Sequence, residues 1–448
     1  MFAISLTAEW MAWVAALAAP LHRRSAWRLA AVVAGILLAQ GRRTASSWWR
    51  AAGVGTRFRS YYYFLDSVGR KTAAVAAVVF GVLRGPLDVP GERLLLALDD
   101  TPTKRYGPEV QGAGIHHNPT PGPAGSKFLY GHSWVVLSRI AHHDHAGTIG
   151  LPLLGQLYIR DKDLPKLPEA IDWEFRTKPQ LAAAMITRAE AWATGLAQRP
   201  WVVVDGADAN REFIKPAKRA GFVVAARLRR DAALSDLPPE RKPGERRGPG
   251  RPPTYGKNRL SLAKRAGQTR GWQTVEVRTT AGRVVTKMVK SFLATWHPAG
   301  GVVRVVIVKE DDGSWRAFLG TDPEASVGEV VQATLDRWAI EQNFHDLKEV
   351  EGIEQVQLRR VWSNVGAFNL NLWVHTLVEV WGWGRPVAEL SDRSESPWDD
   401  AERRPSHADR RKALQREMLE EELQRCWGRR PLPQKIRHLL DRVLRLVA

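Results

Sequence analysis

The chain has 448 residues, 44% of them apolar, enough for two to four packed units with real cores. Its 66 Lys and Arg against 47 Asp and Glu leave a net charge of +19, a field that concentrates polyanions, so nucleic acid and anionic membrane are the partners to weigh. The single cysteine, Cys426, excludes an internal disulfide and any cysteine-cluster metal site. The uncharged run Leu29 to Gly41 is well short of the roughly 20 apolar residues that cross a bilayer. No Lys or Arg precedes Arg23, and Glu9 stands where a signal peptide is basic. The expectation is a cytoplasmic, nucleoid-associated protein with a nucleic-acid partner and no membrane. Tryptophan more often serves cores and interfaces than base stacking, so the 19 tryptophans do not choose between nucleic acids.

Residues 1 to about 90 read as helical. Ala-, Leu- and Val-rich stretches, Trp10 to Leu21 and Ala26 to Gln40, are interrupted by Pro20 and Gly41. Thr44 offers an N-cap for Ala45 to Ala52, Gly53 and Gly55 break the chain, and Ser60 opens another helical stretch to Val68. Two short helices about a glycine turn, with Arg42, Arg43, Arg50, Arg57 and Arg59, permit a helix-turn-helix. An ordinary helical subdomain with a solvated basic face accounts for them equally well.

From residue 93 the pattern changes to strands. Leu94 to Leu98 is a short apolar run ending in Asp99 and Asp100, followed by a Gly- and Pro-rich loop, Tyr106 to Gly125. Ser133 to Ile140 and Thr148 to Ile159 form a β-rich pair joined through His142-His143-Asp144-His145, histidines expected to face water rather than a metal. Ala182 to Gln198 is helical, Trp201 to Val204 is a buried strand ending in Asp205, Ala207 to Ala220 is a helix and Phe222 to Ala226 a strand. Strand, helix, strand at this spacing is a parallel crossover, so the sheet is mixed and covered by helices.

Between Arg241 and Arg270 there are ten Lys or Arg and one acid, Glu245, with Pro and Gly interleaved. Four β-like runs follow, Gln273 to Arg278, Val284 to Phe292, Val302 to Lys309 and Trp315 to Gly320, and then a long helix from Val327 towards Val350. The remainder is helical. In Gln434 to Val447 the residues Ile436, Leu439, Leu440, Val443, Leu446 and Val447 form one apolar stripe, read most simply as core packing, with a dimer contact the alternative.

Asp100 and Asp205 each stand at the carboxyl end of a strand, where active sites of such sheets collect. One Asp there is weak, because it commonly caps the next helix, and a helix begins just after Asp205. The stretch from Asp336 to Lys348 is more specific. At about 100° per residue, Arg337, Glu341 and Lys348 share one helix face, while Trp338, Ile340, Phe344 and Leu347 take the core-facing side. An i,i+4 salt bridge would explain Arg337 and Glu341 alone, but not so apolar a helix. Asp99 and Asp100 lie on opposite faces of their strand, so only one can join the other acids.

Strand–Asp, strand–Asp, then a helix with Arg, three residues, Glu, six residues, Lys resembles the DDE transposases of bacterial insertion sequences, in the cut-and-paste subgroup with a tyrosine–arginine–glutamate–lysine helix signature. Leu98-Asp99-Asp100-Thr101-Pro102 is similar to that group's first catalytic motif, and by its Asp-Thr step Asp100 is chosen over Asp99. The likeness spans about residues 90 to 385; the signature's tyrosine falls on Thr334. The resemblance implies a ribonuclease-H-like α/β core, a mixed sheet flanked by helices, with a β-rich insertion and helical N- and C-terminal regions. The divisions are 1–90, a DNA-binding helical domain; 91–228, the first part of the core; 229–325, the basic linker and insertion; 326–385, the Glu-bearing helix and its successor; and 386–448, a helical C-terminal region.

The resemblance also implies an Mg²⁺-dependent endonuclease and strand transferase. Phosphodiester cleavage of this kind uses two Mg²⁺ (or Mn²⁺) ions held by hard oxygen ligands, here Asp100, Asp205 and Glu341, with Arg337 and Lys348 holding phosphates. The partners implied are double-stranded DNA, both terminal inverted repeats and target, and a second copy of the chain when assembled on DNA. Arg246-Arg247-Gly248-Pro249-Gly250-Arg251 is similar to an AT-hook, except that Pro249 stands where the hook has Arg. A solvated linker is the plain alternative, and non-specific phosphate contact by Arg246, Arg247 and Arg251 is the reading adopted. The rivals for the whole chain are a nuclease that cuts without joining and a DNA-binding protein derived from a transposase.

Overall fold

The structure is a computed structural model; it describes residues 5–89, 91–118, 125–239, 251–391, 393, 398–400, 402–428 and 431–447, with side chains left out at 440, 441 and 444–447. The N-terminal stretch folds as α1 (Ala8–Ala18), α2 (Arg28–Leu38), α3 (Ala45–Ala51), α4 (Arg59–Gly69) and α5 (Thr72–Leu87). Thr44 caps α3 as its sequence position predicts, its hydroxyl accepting from the Ser47 amide. Trp10, Leu37, Trp48, Phe64 and Leu65 fill the space between these helices.

The sheet begins with β1 (Leu95–Lys104), β2 (Gly114–His117), β3 (Phe128–His143) and β4 (Gly147–Tyr158). β1 continues well past the acids at which the sequence pattern ends, because Asp99 and Asp100 pair with Val136 and Val135 of β3. After α6 (Lys178–Ala189) come β5 (Trp201–Val204), α7 (Arg211–Arg219) and β6 (Val223–Leu228). β3 is antiparallel to β1 and β4 to β3, while β1, β5 and β6 are parallel. This is the ribonuclease-H-like arrangement anticipated, a mixed sheet flanked by helices. Even positions of β1 and β5, Leu96, Leu98, Val202 and Val204, pack with Leu181, Ile186 and Phe213 of α6 and α7. Odd positions, Leu95, Ala97, Trp201 and Val203, face the opposite layer.

Beyond β6 lie β7 (Leu234–Ser235), β8 (Arg259–Leu260), α8 (Leu262–Gly267), β9 (Gln273–Arg278), β10 (Val284–Trp296), β11 (Gly301–Lys309) and β12 (Trp315–Gly320). The four predicted strand runs are present. They do not form a separate body: β12 is antiparallel to β6, so the inserted strands continue the core sheet. The single long helix expected next is divided into α9 (Val327–Asp336) and α10 (Trp338–Glu349), meeting at Arg337. Val330, Val331 and Ile340 from these two helices cover the odd face of the sheet.

α11 (Val361–Trp381) is buried almost throughout. Its Asn369 side chain accepts from the Gly155 amide and donates to the Gly155 carbonyl on β4, and Phe368 stacks on Trp134 at 3.9 Å. The chain closes with α12 (Val387–Leu390), α13 (His407–Trp427) and α14 (Gln434–Val447). The α14 stripe was read as core packing; Leu439 and Val443 are instead exposed, because no described element covers that face. Among the described residues no helix is long and apolar enough to cross a membrane.

The N-terminal helices meet the core where α4 crosses α11 at two glycines. A Cβ on Gly69 would collide with the Trp362 carbonyl, and one on Gly366 with the Leu65 carbonyl. Backbone atoms cannot yield as a flexible side chain can, so Gly366→Ala should destabilise the protein by about 1–3 kcal/mol. Gly384, with open space around it, is the control, and Ala there should change stability little. Equal urea midpoints for the two variants would refute the close crossing.

Candidate active site

Alternation along β1 sends the two adjacent acids to opposite faces. Asp99 points to the α9–α10 layer, where its carboxylate receives the Arg337 guanidinium. The same guanidinium donates to Glu341 Oε1 at 3.1 Å, so Arg337 joins Asp99 to Glu341. Asp100 points to the α6 side, its Oδ2 accepting from Lys178 Nζ at 2.5 Å. Burial pushes the Asp99 carboxyl up to about 7 against the pull of Arg337, with Asp100 and Asp205 adding to the rise.

Asp205 follows β5 and is free of the capping role that a helix start would give it: Asn210 caps α7, accepting from the Glu212 and Phe213 amides. The expected helix therefore starts later than the sequence pattern places it. Asp208, in the intervening turn, is buried. Its carboxyl is raised to about 6 by burial and by Asp100 and Asp205, against the effect of Lys178. Asp100 and Asp205 thus act on both Asp99 and Asp208, and Arg337 links Asp99 to Glu341.

The α9–α10 junction is anchored by Asp336, whose buried carboxylate accepts from His142 Nε2 at 3.0 Å, Thr148 Oγ1 at 3.1 Å and Gln332 Nε2 at 2.9 Å. Hydrogen bonding to Asp336 raises the His142 pKa. The histidine run is therefore partly tied down: His142 is exposed, as expected, yet holds Asp336, half-buried His143 bonds the Trp383 carbonyl, and His145 is exposed. Thr334 is buried and donates to the Val330 and Val331 carbonyls of its own helix. Trp338 was expected in the core and is 49% exposed. As the first residue of α10 it lines a cleft of about 240 Å³ with Asp205, Arg227, Lys287, Arg316 and Arg337. Lys348, near the other end of α10, is half-buried; burial lowers its pKa, and Glu354 and Lys104 are its charged neighbours.

Sequence reasoning missed Lys178 and Asp208. Thr177 and Gln180 mark a helix start, but nothing local says that this start abuts β1. Of the basic stretch, Arg251 is exposed, whereas Arg246 and Arg247 lie outside the described residues. Arg42, Arg50, Arg57 and Arg59 are exposed around α3 and α4, while Arg43 is half-buried.

Asp99, Asp205 and Glu341 offer carboxylate oxygens on the α9–α10 face, with Asp100 on the other face of β1; these are oxygens of the hard kind that Mg²⁺ and Mn²⁺ take, but they are not drawn together as a closed ligand group. Arg337 and Lys178 supply counter-charge there. Among the described residues the one group of three whose ligand atoms fall within 4.8 Å of one another lies elsewhere, at His375, Glu379 and His407. That group fits a proton better than a metal. His407 donates from Nε2 to Glu351 at 2.9 Å and from Nδ1 to Glu379 at 2.7 Å, leaving no lone pair free. Burial alone would lower its pKa, but the two carboxylates overcome that and hold it at about 9. Because Glu351 follows α10 and Glu379 belongs to α11, the imidazolium ties α13 to both. Its folded pKa exceeds the ordinary 6.5, so its stabilisation is complete below pH 6.5 and lost as pH rises through 9, about 3 kcal/mol in all. Urea unfolding at pH 6 and pH 9.5 should show this loss in the wild type and lack it in His407→Gln; identical pH dependence in both would remove the assignment.

Residues 16–289 match the family described as DDE superfamily endonuclease, a span that contains Asp99, Asp100 and Asp205 and ends before Glu341. No curated protein matches the chain. Among solved structures it is similar to the cryo-EM structure of a piggyBac transposase synaptic complex with hairpin DNA, at 10% identity and a TM-score of 0.33. The alignment covers 85% of this chain and 62% of that one.

Proposed function

The chain belongs to the DDE superfamily of endonucleases, and on that footing we propose that it is a DNA transposase of the bacterial insertion-sequence type. On this reading it cleaves the ends of its element and joins them to target DNA. The observation that supports the proposal is that Arg337 joins Asp99 of β1 to Glu341 of α10 beside the cleft that Asp205 lines, while Lys178 holds Asp100 on the other face of the same strand. Two Mg²⁺ or Mn²⁺ ions, when bound, would activate the attacking oxygen and stabilise the leaving one. Asp100, Asp205 and Glu341 are the proposed ligands. Asp99 keeps Arg337 against Glu341 and is the alternative to Asp100, since it shares the Glu341 face.

The side chains divide the remaining work. Arg337 and Lys348 hold phosphates beside the acids, Arg337 as a planar fork and Lys348 as a point charge. Hydrolysis at an element end frees a 3′-hydroxyl, and that hydroxyl then attacks a target phosphodiester. Residues 1–90, with their exposed arginines, and the basic stretch of 229–325 are proposed to grip duplex DNA through phosphates. A homodimer would hold the two ends together, working at the nucleoid in the cytoplasm.

A duplex carrying the inverted repeats that flank the gene, with Mg²⁺, tests the assignment. Asp100→Asn, Asp205→Asn and Glu341→Gln should each lower nicking by about a hundredfold or more while DNA binding in Ca²⁺ persists. Asp99→Asn should be milder; the reverse order for Asp99 and Asp100 would pass the ligand role to Asp99. Nicked ends that never appear in joined products would make the protein a nuclease, and binding with no nicking would make it a DNA-binding derivative. In the basic stretch, joint replacement of Arg246, Arg247 and Arg251 by Ala should flatten the slope of log affinity against log salt by about 2–3. An unchanged slope would remove the DNA contact, and a loss confined to A·T-rich duplexes would establish a hook.

A further inference from the structure

We infer that Lys178 is a further phosphate-binding cation of the active site, held on Asp100 while divalent ions are absent and released to a DNA phosphate when they load. The inference rests on the metal-dependent reading above and concerns a residue outside the Arg–Glu–Lys helix.

Lys178 is aimed by rigid backbone. It is the first residue of α6, where Thr177 and Gln180 form a reciprocal capping box and Pro179 fixes the first turn. The Thr177 hydroxyl donates to Glu212 of α7 at 3.0 Å, tying the start of α6 to the neighbouring helix. From there the side chain reaches Asp100 Oδ2 at 2.5 Å, with Nζ 5.7 Å from the centre of the Tyr158 ring. Lysine and aspartate are each about one-third exposed (33% and 35%), so the ammonium has water and space into which it can move. Arg337 occupies the corresponding position on the other face of β1. The acids are thus bracketed by one cation from each helical layer.

The five carboxylates, Asp99, Asp100, Asp205, Asp208 and Glu341, outnumber these two cations. A divalent ion on Asp100 competes directly with Lys178 for the same oxygen and repels the ammonium beside it. The flexible lysine stem lets that charge move, and the anion then entering the site is the DNA backbone. One residue should therefore oppose metal binding in the free protein and support DNA binding in the loaded one. A purely structural salt bridge would not link the two effects with opposite signs.

The test uses the full chain and Mn²⁺, followed by electron paramagnetic resonance, with DNA binding measured separately in Ca²⁺ across a salt series. Lys178→Met should tighten Mn²⁺ binding about two- to fivefold, the range of an exposed ion pair. It should also weaken DNA binding and flatten the salt slope by about 0.9. Lys178→Arg should restore the slope, and melting curves establish that both variants are folded. Unchanged or weaker Mn²⁺ binding by Lys178→Met, or DNA binding that is unaffected, overturns the inference. Asp205→Asn separates the two levels: if the wild type shows no Mn²⁺ site that this variant removes, the metal-dependent reading fails as well.

Discussion

Neighbouring residues of a β-strand point to opposite faces, and the arrangement of this protein follows from having two acids, Asp99 and Asp100, side by side on β1. Neither carboxylate can be left alone in a partly buried position, because desolvating an unpaired charge costs several kcal/mol. Each face must therefore bring its own cation. The α9–α10 layer brings Arg337 and the α6 layer brings Lys178, so a sheet covered by helices on one side only would strand one of the acids. Even with both cations in place, burial first and the neighbouring acids second keep the Asp99 and Asp208 carboxyls raised.

The cations are useful only if their helices are held in register, and several separate devices hold α10. Asp336 fastens its N-terminal junction to β3 and β4 through His142 and Thr148. At its other end Glu351 accepts from His407 and Arg411 of α13. Arg411 also donates to the Ile36 and Leu37 carbonyls at the end of α2. A guanidinium serving both a buried carboxylate and two helix-end carbonyls binds α2, α13 and the segment that follows the Glu-bearing helix into one network. Sequence-distant segments thereby bear on the site without touching it.

Much of this was legible in the sequence where local pattern carries the information. Trp201 to Val204, the four β-like runs after Gln273 and the Thr44 cap were found because apolar periodicity and capping chemistry are local. The spacing of Arg337 and Glu341 set them on one helix face, and the i,i+4 salt bridge, the plainer of the two readings, is the contact they make. What was illegible depends on neighbours far along the chain. The continuation of β1 through Asp99 and Asp100 is imposed by pairing with β3, not by the polar residues themselves. Trp338 looks like a core residue until the break at Arg337 sets it at the mouth of a cleft. Lys178 reaches Asp100 only because α6 packs against the sheet, and α14 shows an apolar stripe whose burial no local rule can decide.

The inserted strands show how tertiary pairing changes the meaning of a segment. A basic, Pro- and Gly-rich stretch followed by four strands reads as an appended module. Yet β12 lies antiparallel to β6, with Ala317 opposite Leu228 and Gly320 opposite Ala225, so the module lengthens the core sheet. Its strands carry Lys287 and Arg316, which line the cleft with Arg227, Arg337 and Asp205, while Glu310 pairs with both Lys287 and Arg316. Because sheet hydrogen bonds fix register, these cations are placed relative to Asp205 as firmly as β5 is placed relative to β1. A loose linker would deliver only bulk positive charge near the site. A continuous sheet delivers charge at set positions, so on the proposed function the insertion would help to orient the DNA as well as attract it.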